Sequence, residues 1–191
     1  MSNPLIEPSE TLVLFADLQA GIADLPMTIP EPRLRKGVRC LSKLAKILDL
    51  PFFVTAVMEQ GKPAEIMPEI QNELGSYEIL YRTTADSYQN DRIRSLVEAT
   101  GRKTILISGV ATEIAVCLPA MSFAANGYRT FVVVDACGGM SPRTEDAALR
   151  RVIQAGGSTT SVLTLAGELA GDFRTESAQK AVGILFEMAG E

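Results

Sequence analysis

The feature that most constrains this chain is a set of short, continuously apolar, β-prone runs separated by helix-patterned segments. TLVLFAD (Thr11–Asp17), PFFVTAV (Pro51–Val57), Thr104–Ser108 and FVVVDA (Phe131–Ala136) have no polar residue at alternate positions. Strands of that kind must be covered on both faces, which is the condition of a parallel sheet between helix layers. Two weaker runs, Glu78–Tyr81 and Thr159–Leu163, bring the expected strands to six. Helical periodicity fills the gaps. Arg33–Leu48 places Val38, Leu41, Leu44, Ala45 and Leu48 on one face. Asp91–Thr100 ends at Gly101, Thr112–Asn126 at Gly127, and Pro142–Ala155 at Gly156-Gly157, each a helix-stop signal. Thr175–Met188 reads as a last helix. The expected fold is therefore α/β, a three-layer sandwich around a mostly parallel six-stranded sheet, as a single domain over residues 1–191.

Composition narrows the chemistry. The chain has no histidine, so a His-ligated zinc site and any Ser-His-Asp or Cys-His pair are impossible. Three widely spaced cysteines argue against a disulfide framework and for a reducing cytoplasm. A net charge of −5 disfavours nucleic acid as a partner. No apolar run approaches the roughly 20 residues of a membrane span, and MSNPLIEPSE lacks the basic and apolar regions of a secretory signal. No cofactor and no metal are expected, and the expected partner is a small-molecule substrate.

In open parallel sheets, ligands bind beyond the carboxyl ends of the strands. Three strand ends carry candidate groups: Asp17-Leu18-Gln19 after the first, Arg82 after the third, and GVATEIAVCLPA (Gly109–Ala120) after the fourth. Pocket walls are expected from Leu18–Pro30, Glu59–Pro68 and Cys137–Pro142. The helix from Ile114 through Ala125 is apolar nearly all round, which suggests burial on two sides and a subunit interface.

Taken together, DLQ at Asp17–Gln19, GVATE at Gly109–Glu113, VVVDAC at Val132–Cys137 and QAGGSTTS at Gln154–Ser161 resemble the isochorismatase-like cysteine hydrolases over nearly the whole chain. The resemblance implies strand order 3-2-1-4-5-6, homo-oligomers (dimers or multiples of them), and hydrolysis of small amide or related C–N bonds. It implies a trio of Asp17 as acid/base, Arg82 in the position of the usual Lys, and a nucleophile position at Ala115. It also implies a cis peptide at Val110–Ala111 and an oxyanion hole from the N–H groups of Ala111 and Ala115. Gln19 and Thr112 are candidate substrate contacts, although Thr112 also suits a helix cap. The metal-binding motif of the nicotinamidases in this superfamily needs histidine and is absent, which disfavours that activity.

The departure from the family pattern is Ala115, because a methyl group cannot attack a carbonyl. One explanation is an alanine put in place of a natural cysteine. Another is a protein that naturally lacks the thiol, as the true isochorismatases do when they protonate a vinyl ether, or a catalytically dead binding or assembly module. A third is that Cys117 has taken over. Two residues on is about 200° around a helix, so Cys117 should face away from whatever Ala115 faces. Cys40 and Cys137 suit packing, and Asp135 is expected to order the loop after the fifth strand.

Overall fold

The computed structural model describes residues 5–23, 28–59 and 61–190. In chain order the elements are β1 (Thr11–Ala16), α1 (Ala20–Ala23), α2 (Glu31–Ile47), β2 (Phe52–Ala56), α3 (Pro68–Leu74), β3 (Ile79–Tyr81), α4 (Asp91–Ala99), β4 (Thr104–Val110), a π-helical turn (Thr112–Val116), α5 (Cys117–Ala125), β5 (Arg129–Gly138), α6 (Pro142–Gln154), β6 (Ser158–Thr160), α7 (Val162–Ala170) and α8 (Glu176–Ala189). The strands form one six-stranded sheet in the order β3-β2-β1-β4-β5-β6, and every pairing is parallel.

Side chains alternate across the two covered faces. On one face, Val13, Phe15, Leu106 and Val133 pack with apolar residues of α2, α7 and α8. On the other, Leu12, Leu14, Ile105, Ile107 and Val132 pack with Val97 of α4, Cys117, Ala120 and Phe123 of α5, and Val152 of α6. All six residues of β1 and all seven of β4 are buried, as their unbroken apolar runs require. Two glycines permit close approach, one of a helix to the sheet and one between neighbouring strands. A Cβ on Gly37 of α2 would stand 2.0 Å from the Asp135 carbonyl oxygen of β5, and one on Gly109 of β4 would stand 2.1 Å from that of Ala16.

Helix starts follow local chemistry. Asn90 accepts from the N–H groups of Arg92 and Ile93, Ser141 from Thr144, Ser161 from Thr164 and Thr175 from Ala178. Each satisfies an orphan donor of a first turn. The Ser161 cap corrects the expected strand over Thr159–Leu163. That strand ends at Thr160, and Leu163 already belongs to α7. The β-branched run is overridden by the capping serine, together with the Asp135 carboxylate, which accepts from Val162 N–H at 2.7 Å. Asp135 thus caps α7 from inside β5 and does not order the loop after it. The helices α1, α3 and α7 have no counterpart in the expected elements. The expected helix over Thr112–Asn126 begins as a π turn, in which Cys117 N–H reaches Thr112 O. Pro119 has no N–H to give the Ala115 carbonyl, so a regular α turn could not be completed there.

Candidate active site

Three strand ends meet where β1 sits between β2 and β4. The last register pair of β1 and β4 is Ala16 with Gly109. One residue beyond it are Asp17 and Val110. Asp17 is pinned by its N–H to Thr55 O of β2 at 3.0 Å and has φ +52°, a left-handed conformation that Asp tolerates better than most residues. That turn ends the strand and leaves the carboxylate at its tip.

Arg82, directly after β3, reaches this carboxylate. Its Nε donates to Asp17 Oδ1 at 3.2 Å and its Nη2 donates to Asp17 Oδ2, a bidentate pair. The residues are only 4% and 7% exposed. Arg82 N–H donates to Ala56 O at 3.0 Å, and Nη1 donates to the Thr84 carbonyl. Burial pushes the Asp17 carboxyl above its ordinary 3.8, and the Arg82 charge and hydrogen bonds oppose that rise without cancelling it. A carboxyl held this way can take up and return a proton nearer neutrality.

The turn after β4 supplies the other wall. The Val110–Ala111 peptide is cis. Ala111 O accepts from the N–H groups of Ile114 at 3.1 Å and Ala115 at 3.0 Å. The Ala115 N–H, one of the two expected oxyanion donors, is thus engaged within its own turn. Ala115 is 3% exposed yet belongs to neither apolar core. Cys117 is 1% exposed and lies inside the core beneath α5. Desolvation, then the charges of Glu113 and Glu145, push its thiol up to about 12. Cys137 is buried in the same core with its thiol pushed up by burial, and Cys40 is raised to about 11, chiefly by burial. None of these thiols has the electropositive, accessible setting that makes a thiolate.

Gln19 and Thr112 hold the site together, and their polar atoms are already engaged. The fully buried Gln19 amide donates to Val57 O at 3.1 Å and to Glu59 Oε1 at 2.6 Å, and accepts from Val57 N–H at 2.8 Å. It staples the loop after β2 to the end of β1. Thr112 Oγ1 donates to Glu145 Oε1 of α6 at 2.8 Å, and no cap bond runs from its side chain. Glu113 accepts from Met140 N–H at 2.9 Å and Thr144 Oγ1 at 2.5 Å. The π turn is therefore latched twice to the start of α6. Of the expected pocket walls, residues 24–27 and Gln60 lie outside the described residues. A separate cavity of about 980 Å³, lined in part by Arg33, Lys36, Arg39 and Glu187, shares no lining residue with Asp17, Arg82 or Ala115. Among the described residues, no group of three or more His, Cys, Asp or Glu could hold a metal ion. No helix among them is long and apolar enough to cross a membrane.

Sequence reasoning missed Thr84, Asp86, Ser122 and Glu145, and had Glu59 only as the first residue of an expected pocket wall. Asp86 had a signal in the D-S-Y turn, where its carboxylate accepts from Tyr88 N–H. Ser122, in the middle of an apolar helix, had none.

The parallel sheet, covered on both faces, thus carries a buried carboxylate–guanidinium pair where its strand order reverses, the architecture of an α/β enzyme with a site at the strand ends. The isochorismatase domain model matches residues 11–163, and the chain belongs to that family. It is 31% identical over 179 residues to the probable hydrolase YcaC of Escherichia coli, covering 92% of this chain and 86% of that protein. The crystal structure of that YcaC, described as an octameric hydrolase of unknown specificity, superposes with a TM-score of 0.88 over 97% of this chain and 91% of that one, at 30% identity. YcaC from Pseudomonas aeruginosa, in a structure with hexane-2,5-diol and covalent acrylamide, gives a TM-score of 0.90 at 27% identity, covering 98% of this chain and 93% of that one. The MAR1 ribonuclease of Caenorhabditis elegans, at 21% identity, TM-score 0.85 and coverage of 98% and 95%, shares the fold.

Proposed function

We propose that this chain is a hydrolase of the cysteine-hydrolase type, built for small amide or related C–N substrates, with its nucleophile position filled by Ala115. The observation that carries the reading is the Asp17–Arg82 pair, buried beside the turn that bears Ala115. Two charges taken out of water are weak evidence for stability, because their desolvation offsets most of their attraction. A carboxyl whose pKa is raised by burial and opposed by one cation, at a switch point, is better explained as a proton-transfer group.

With a thiol at position 115 the steps balance. Asp17 takes the thiol proton, and sulfur attacks the carbonyl carbon. The C–N bond then breaks, and Asp17 returns the proton to the leaving amine. Water, deprotonated by Asp17, then attacks the thioester carbonyl, the C–S bond breaks, and Asp17 returns that proton to the leaving sulfur. Arg82 stays charged throughout and stabilises the anionic states. With Ala115 no thioester can form, and Cys117 is too buried and too weakly acidic to replace it. The covalent acrylamide on the Pseudomonas aeruginosa relative is what a soft nucleophile in that fold would give.

The test is an amide panel assayed with this chain and with Ala115→Cys. The expected result is no turnover by the Ala115 form, turnover of at least one amide by the Cys form, and acrylamide labelling at position 115. A Cys form that is inert and unlabelled sinks the proposal.

The raised Asp17 pKa also favours a second reading, vinyl-ether hydrolysis by protonation from Asp17 without any thiol. That reading requires the Ala115 chain itself to consume isochorismate and Asp17→Asn to abolish the reaction. For either chemistry we expect a homo-oligomer, on the precedent of the octameric relative and on the half-exposed Ile114 and Met140 beside the π turn.

A further inference from the structure

The guanidinium of Arg82 is aimed by a hydrogen-bonded chain that runs away from Asp17 to the far helix layer. Its Nη1 donates to the carbonyl of Thr84. Thr84 Oγ1 donates to Asp86 O at 2.8 Å. The Asp86 carboxylate accepts from Tyr88 N–H at 2.9 Å through Oδ1 and from Ser122 Oγ of α5 at 2.6 Å through Oδ2. Gln89 Nε2 adds a longer bond of 3.4 Å to the same Oδ2. The segment between β3 and α4 is thus tied at one end to the site and at the other to α5. Each link is directional, so a shift of the loop at Asp86 moves the Thr84 carbonyl and with it the plane of the Arg82 fork.

We infer that Asp86 and Ser122 are positioning residues for the Asp17–Arg82 pair, acting through the Thr84 carbonyl. The inference rests on reading that pair as the acid/base couple. A lysine at position 82 would present a point charge needing no such orientation, whereas a planar fork is useful only at the right angle. The chain therefore accounts for how arginine serves at this place. Packing of the loop has an independent anchor, since the Tyr88 ring meets Phe123 edge-on at 4.9 Å between centroids. Removing the Ser122 hydroxyl should loosen the aim of Arg82 without unseating the loop.

The experiment follows the side-chain carboxyl of Asp17 by carbon-13 NMR through a pH titration, in the full chain with Ala115 in place. Among the described residues the charge acting on Asp17 is Arg82, so its midpoint reports how well the guanidinium is held. Ser122→Ala and Asp86→Asn should raise the midpoint by roughly 0.5–1 unit, the scale of one weakened charge-assisted hydrogen bond. Ser122→Thr, which keeps the hydroxyl, should restore it, and Arg82→Lys should raise it at least as far. If Ser122→Ala folds and leaves the midpoint where it was, while Arg82→Lys moves it, the positioning role is wrong. If Asp86→Asn does not fold, the Ser122→Ala and Ser122→Thr pair decides alone. The readout needs no turnover, so failure of Ala115→Cys to hydrolyse amides would leave this result standing, and the reverse also holds.

Discussion

Two neighbouring regions of this molecule divide between them what a cysteine hydrolase needs in one place. At the tips of β1 and β3, Asp17 and Arg82 supply a carboxyl and a cation, and the π turn after the neighbouring β4 carries alanine at position 115. Beneath α5, Cys117, two residues further along, and Cys137 of β5 supply thiols, and the core they share includes Leu12, Ile107, Phe123 and Val132. The first region has a buried ion pair without sulfur, and the second has sulfur whose thiolate is disfavoured by burial and by the carboxylates of Glu113 and Glu145. Reactivity in this fold is a property of a position before it is a property of a residue type. A thiol is a small hydrophobe in the second region, and in the first it would be a nucleophile.

The sharpest way to break this contrast is alkylation with iodoacetamide at pH 8. The Ala115→Cys thiol should react and the native cysteines should not, as read by intact mass. With Cys117 held near 12, its thiolate fraction at that pH is roughly ten-thousandfold below full ionisation. Comparable labelling of Cys117 in the unmodified chain would erase the distinction between the regions. Next in size is stability. Arg82→Ala leaves the Asp17 carboxylate buried without its partner and should cost about 3–5 kcal/mol in urea unfolding. Cys117→Ala removes one atom from an apolar core and should cost only about 1–2 kcal/mol. It should also leave labelling of Ala115→Cys unchanged.

The smallest effects are in the pH dependence of stability, and two carboxyls should slope in opposite directions. The Asp17 pKa is raised in the folded state, so its contribution is full below about 3.8 and is lost as pH climbs through the raised value. Glu113 is partly desolvated, but bonds from Thr144 and from backbone N–H groups hold its pKa below the ordinary 4.5. Its contribution is present above 4.5 and is lost as pH falls through the lowered value. Stability curves of Asp17→Asn and Glu113→Gln against the unmodified chain would show it. Asp17→Asn should flatten the decline toward neutral pH, and Glu113→Gln should flatten the decline in acid. The same sign for both variants would mean that the β1 tip is not the desolvated member of the pair.

Much of this was legible before any coordinates. The unbroken apolar runs at Thr11–Asp17 and Phe131–Ala136 required two covered faces, and glycines after the helices marked their ends. Asp17 and Arg82 stood out because they follow strands. The angular argument also separated Cys117 from Ala115. The sequence misled where a local preference met a longer-range partner. Thr159–Leu163 reads as a strand, yet Ser161 and a carboxylate 27 residues away in β5 turn its second half into α7. The partners of the Gln19 amide were not legible either, since both its N–H groups go to Val57 and Glu59, 38 and 40 residues away.

By itself, then, the sequence determined the layers, the parallel sheet and the absence of any histidine-based chemistry, because periodicity and composition act locally and along one chain segment at a time. Only the tertiary structure decided that Asp17 and Arg82, 65 residues apart, form one buried pair. It also decided which hydroxyls and amides are engaged by the protein itself. Those outcomes depend on which strand ends the sheet order brings together. They depend as well on the need of every buried donor and acceptor to find a partner, wherever in the chain that partner lies.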